Sequence, residues 1–113
     1  MNYGGLVQVL SQLESTVDSN LLVGVDTGDD AAVYRLSEET ALVLTVDFFP
    51  PIVDDPYQYG AIAAANSLSD IYAMGATPLL ALNIVGFPID APRDVLGLIL
   101  QGGQNKSKEA NCI

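Results

Sequence analysis

Between Asp55 and Pro78 the chain reads DPYQYGAIAAANSLSDIYAMGATP, a helix with both ends written into it. Asp55 is a good N-cap, because its carboxylate can accept from the unpaired amides of a first turn. Pro56 suits the first helical position, where a missing N–H costs nothing. Gly75 closes the helix after Met74, and Pro78 prevents its continuation. The middle is built from Ala, Ile, Leu, Tyr and Met, so it reads as a buried helix. Asn66, Ser69 and Asp70 fall at i, i+3 and i+4 and therefore share one polar stripe. A carboxylate with little water around it is costly unless it is paired or holds a metal. Asp70 is a candidate ligand on that ground; capping a neighbouring element or lying at a solvent edge are its other readings.

The flanking sequence sets an α/β order. Residues 5–14 have helical spacing through Leu6, Val9, Leu10 and Leu13. Leu21 to Val25 is a short apolar run that enters the turn-rich Asp26-Thr27-Gly28-Asp29-Asp30. Ala31 to Leu36 and Ala41 to Val46 read as strands around a Ser37–Thr40 turn, the second an almost unbroken apolar run suited to burial. Pro50-Pro51 makes the stretch from Phe48 to Val53 an extended loop. Leu79 to Phe87 reads as a further long strand. Asp90 with Pro92 starts a last helix, which Gly102-Gly103 weakens without ending. Helix, two or three strands, helix, strand, helix implies an α/β sandwich with a mixed sheet and helices on one face. The sheet's other face would then be bare and apolar, which suits a homodimer interface.

Composition narrows the partners. Fourteen acids against four bases and no histidine give a net charge of −10. No basic face for nucleic acid can be assembled from that set, and an anionic membrane surface is disfavoured for the same reason. A nucleotide would be repelled unless divalent cations bridged it to the acids. No apolar run is long enough to span a bilayer, no signal peptide is visible, and the lone Cys112 allows no internal disulfide. These features lead to the expectation of one cytoplasmic domain, or a piece of one.

Four acids stand at element ends: Asp29 and Asp30 before a strand, Asp47 after one, and Asp70 late in a helix. Carboxylates drawn from separate elements suit Mg²⁺, a hard ion that takes oxygen ligands and keeps waters and substrate phosphates. Such ions neutralise charge on a transferring phosphoryl group. Solvated turns are the plainer reading of Asp26, Asp29, Asp30, Asp54 and Asp55. A Walker A loop, GxGxxG, a zinc-ligand set and a serine–histidine pair are all missing from the sequence.

GDDAAVY at 28–34, TVDFFPPIVDDPYQYG at 45–60 and AAANSLSDIYAMGATPLLALNIVGFP at 63–88 together resemble the selenophosphate synthetases (selenide, water dikinases). GDDAA and LSD…AMG belong more widely to the aminoimidazole ribonucleotide synthetase-like superfamily, which also holds thiamine-monophosphate kinase. The VDFF-PIVDDP and ALNIVGFP segments single out the selenophosphate enzymes. The resemblance covers roughly residues 21–110. It implies an ATP-binding and dimerisation domain, and a Mg²⁺-dependent enzyme making selenophosphate, AMP and phosphate from ATP, selenide and water. It also implies a homodimer formed through the sheet. Carried over by position, Asp30 and Asp70 match magnesium ligands. Thr27, Gly28, Asp29, Asp47 and Asp70 match the nucleotide site, with Asp47 acting through metal. Asn66 would orient Asp70 or its neighbours.

The departures lead to the expectation of a fragment, cut at both ends and inactive alone. The family's glycine-rich segment, with its cysteine or selenocysteine and nearby lysine, has no match in MNYGG. The first basic residue is Arg35 and the first lysine is Lys106, so no catalytic residue is assigned. Lys106 and Lys108 read as a solvated helix face. The family's Gly-Gly-His-Ser loop, a later magnesium acid and the carboxy-terminal domain are also unmatched, leaving 1–113 as a partial amino-terminal domain. Two other readings stay open: a thiamine-monophosphate kinase-like enzyme, and a non-catalytic dimerisation or nucleotide-binding module.

Overall fold

The computed structural model describes residues 3–14, 18–23 and 31–113. The chain forms two compact units, Met1–Leu44 and Thr45–Ile113.

The first unit holds α1 (Tyr3–Leu10), β1 (Leu21–Val23), β2 (Ala32–Arg35) and β3 (Ala41–Leu44). The helix ends earlier than the expected 5–14, because the amides of Gln12 and Leu13 bond three residues back, to Val9 and Leu10. Such tightening is how a last turn satisfies otherwise orphaned carbonyls. The three strands pair in order β1-β2-β3, both pairs antiparallel. Ser37 fixes the β2–β3 turn: its hydroxyl accepts from the amides of Glu39 and Thr40. That places Ala32 opposite Leu44 and Tyr34 opposite Leu42. Tyr34, Leu42 and Leu44 therefore share one sheet face, and all three are exposed.

The second unit is organised by α2 (Pro56–Ala73) and α3 (Arg93–Glu109). The Asp55 carboxylate accepts from the Gln58 amide at 2.9 Å, the expected N-cap. At the other end Gly75 has φ +71°, its amide bonds the Tyr72 carbonyl, and the Ala76 amide reaches Ile71. This is a Schellman ending, in which the left-handed residue is cheapest as glycine. The ending of α3 repeats it with Asn111 at φ 54°, the Asn111 amide on Lys108 and the Cys112 amide on Ser107. The last helix starts where Asp90 and Pro92 place it. Asp90 lies before the helix, in a turn closed by the Ala91 amide on Pro88, and Pro92 stands at the cap with no side-chain bond.

The two helices cross at glycines. A Cβ at Gly60 would run into the Ile99 carbonyl oxygen, and one at Gly102 into the Tyr57 carbonyl oxygen. Gly60, Ala61, Gly102 and Gly103 are the buried residues of the pair. The Asn105 amide donates to the Tyr57 hydroxyl at 2.9 Å beside the crossing. Gly102-Gly103 thus weakens α3 locally yet lets backbone meet backbone. The rest of α2 is less buried than its composition suggests.

Residues 79–87 form no strand. A ladder needs a partner, and among the described residues the segment has one only at its start: the Ile113 amide donates to the Leu79 carbonyl, and the Ala81 amide donates to the Ile113 carbonyl. One residue bracketed by i−1 and i+1 of another segment is the parallel pattern. Beyond Ala81, Leu82 and Ile84 stand exposed.

The crossing is testable by three glycine-to-alanine variants. Gly60→Ala and Gly102→Ala each force a Cβ against a carbonyl and are expected to lose about 1–3 kcal/mol. Gly97→Ala meets nothing within 4 Å, so helix propensity should raise stability by up to ~1 kcal/mol. Urea unfolding followed by circular dichroism checks both signs.

Candidate functional site

The candidate site in the second unit is built from two facing segments. Thr45 to Asp47 follows β3 in sequence, and α2 supplies Asn66 and Asp70. The Thr45 hydroxyl donates to Asp70 Oδ2 at 3.2 Å. The Asn66 amide nitrogen donates to Asp47 Oδ2. Position 45 meets 70 and 47 meets 66, so the segment runs antiparallel to the helix. The spacing explains why both bonds form together. Four helical residues rise ~6 Å, and two residues of near-extended chain span up to ~7 Å.

Each of these two rungs joins one carboxylate to one neutral donor, with the roles exchanged between segments. Asp70 and Asn66 are half-buried and Asp47 is exposed. Ser69, the third member of the polar stripe, turns its hydroxyl back onto the Asn66 carbonyl at 2.6 Å. Asn66 therefore bonds Asp47, not Asp70; the helix carbons between 66 and 70 point both side chains outward to separate partners across the gap. The second oxygen of each carboxylate accepts no hydrogen bond among the described residues.

Thr27, Gly28, Asp29 and Asp30, the other residues expected at the site, lie outside the described residues. Among the described residues no three metal-ligating side chains converge. The site as described is thus the Asp47–Asp70 pair. Hard, anionic oxygen donors fit Mg²⁺, which uses one or two protein carboxylates and fills its shell with water and phosphate.

Nearby features do not join the pair. Lys106 bonds Glu109 at 2.9 Å on α3, in keeping with its reading as a solvated helix face. The depression beside it, lined by Leu68, Ser69, Tyr72 and Lys106, holds about 290 Å³ and takes no part of either acid. Tyr59, unmarked in the sequence, positions the loop before α2: its hydroxyl donates to the Phe49 carbonyl at 2.6 Å and its ring packs edge-on against Phe49 at 5.8 Å. The signal for it was an aromatic one turn after the N-cap.

The family model described as AIR synthase related protein, N-terminal domain, matches residues 28–113. The chain belongs to that family. Among curated relatives, a selenide, water dikinase of Carboxydothermus hydrogenoformans is 64% identical over 105 residues, which is 93% of this chain and 31% of the relative. The Myxococcus xanthus selenide, water dikinase is 65% identical over 105 residues, again 93% of this chain and 30% of the relative. That of Clostridioides difficile is 58% identical over 109 residues, 96% of the chain and 31% of the relative. The chain thus spans about a third of the length of these relatives. No described helix is long and apolar enough to cross a membrane.

Asp70→Asn is expected to keep the fold, because the amide oxygen can still accept from Thr45 while one charge of a strongly acidic chain is removed. Thermal unfolding should place the variant within a few degrees of the native chain.

Proposed function

We propose that this chain is the partial amino-terminal domain of a selenophosphate synthetase, contributing carboxylates to a site for magnesium and ATP. The observation that carries the reading is the pair of rungs. Asp47 and Asp70 are each held by a neutral donor, and the second oxygen of each accepts no hydrogen bond among the described residues. The relatives' printed name, selenide, water dikinase, supports selenide as phosphoryl acceptor over thiamine monophosphate.

In this reading Asp70 and Asp30 hold Mg²⁺. Asp47 serves the nucleotide through metal, and Thr27, Gly28 and Asp29 form the loop beside the phosphates. Bound magnesium would supply positive charge to the phosphoryl group. The protein's own part is positioning: it fixes carboxylates at one end of α2 so that a polyphosphate lands in one place. The reaction would join ATP, selenide and water to give selenophosphate, AMP and phosphate, in the cytoplasm where ATP is found. The catalytic lysine and cysteine of the resemblance have no counterpart in this stretch, so the chain alone is not assigned turnover. A second copy of the chain is the partner best suited to the exposed face of Tyr34, Leu42 and Leu44.

Two measurements test the reading. Mg-ATP at millimolar concentration should raise the melting temperature, since a ligand that binds only the folded state stabilises it by mass action. The shift should require magnesium and vanish in Asp70→Asn; an equal shift in the variant would remove Asp70 from the site. Light scattering should report twice the chain mass, and a clean monomer at high concentration would reject the dimer.

A further inference from the structure

We infer that Thr45 and Asn66 are positioning residues for divalent-cation binding, each aiming the carboxylate that the other's segment supplies. The inference rests on the reading of Asp47 and Asp70 as a cation and nucleotide site, and it goes beyond that reading by naming what sets their geometry.

Both acids are short side chains on elements that could turn them several ways. Asp47 is exposed and lies in a segment without regular secondary structure. Left alone, it would sample its rotamers in water and lose that freedom only when a cation bound. The Asn66 amide removes part of that freedom beforehand by holding Oδ2. A carboxylate only accepts, so the amide must present its nitrogen to Asp47, which also fixes the orientation of Asn66. Ser69 bonds the Asn66 carbonyl, not its side chain, so the side-chain amide is left to serve Asp47.

Thr45 does the same for Asp70 from the opposite direction. As a β-branched residue it has few χ1 choices, and its hydroxyl is therefore held where the acceptor is. The swapped arrangement couples the two rungs: each bond fixes where the segment lies along α2 and so favours the other. Neutral donors matter too. A lysine or arginine in either place would orient the acid equally well but cancel the charge that draws the cation. Outer partners of this kind commonly change metal affinity by about 10- to 100-fold.

The test uses the whole 113-residue chain and Mn²⁺ as probe, read by electron paramagnetic resonance of the free ion. Native chain and Asp70→Asn come first. Binding by the native chain that is lost in Asp70→Asn establishes the cation site. If the native chain binds no Mn²⁺, the cation reading itself fails, and the positioning inference with it. With binding established, Thr45→Val and Asn66→Ala should each weaken Mn²⁺ about 10- to 100-fold, while Thr45→Ser, which keeps the hydroxyl, should return to near-native affinity. The melting temperatures without metal should stay close to native for Thr45→Val and Thr45→Ser. A purely structural role would lower stability and leave the affinity of the folded chain unchanged. Native affinity in both Thr45→Val and Asn66→Ala overturns the inference. Should Asn66→Ala fail to fold, the valine–serine contrast at position 45 decides alone.

Discussion

The second unit depends on a close approach of two helix backbones. Gly60 and Gly102 leave no Cβ between α2 and α3, and each faces a carbonyl of the other helix. Dispersion falls steeply with separation, so this contact is available only where side chains are absent. The entropy lost by ordering glycine in a helix is the cost. The contact in turn fixes α2, and α2 carries Asn66 and Asp70. A crossing built from the smallest residue therefore sets the platform on which the polar stripe stands.

Across that stripe the geometry is a matter of commensurate repeats. A helix and a near-extended segment can exchange two bonds in succession because four residues of one match two of the other. The pairing gives each acid a neutral partner and leaves net negative charge in place. The two bonds set where the acids stand along α2.

Local signals were the legible part of this sequence. Asp55, Pro56 and Gly75 marked the ends of α2 because capping depends on residues a few positions apart. The Ser37–Thr40 turn and its two strands were legible for the same reason. What lay beyond was set by partners distant in sequence. The 79–87 run has strand composition, but a strand is a pairing, and among the described residues only Ile113 pairs with it. Asn66 was readable as an orienting residue; that it serves Asp47 depends on how the preceding segment lies along the helix, which spacing within α2 cannot reveal. Asp90 and Pro92 together marked the start of α3, and Pro92 holds the cap itself. Thr27, Gly28, Asp29 and Asp30 were legible through a motif and fall outside the described residues.

The bracket of Ile113 between Leu79 and Ala81 has a colloidal consequence. It begins a ladder that no described residue continues, and the residues that follow it present apolar side chains, with Leu82 87% and Ile84 71% exposed. Exposed apolar residues of this kind favour association between molecules. Opposing it is the mutual repulsion of chains that each carry a charge of −10. That repulsion reaches ~10 Å at 0.1 M salt but only ~3 Å at 1 M. Raising the ionic strength is thus expected to weaken the one force that keeps these exposed apolar residues of separate chains apart.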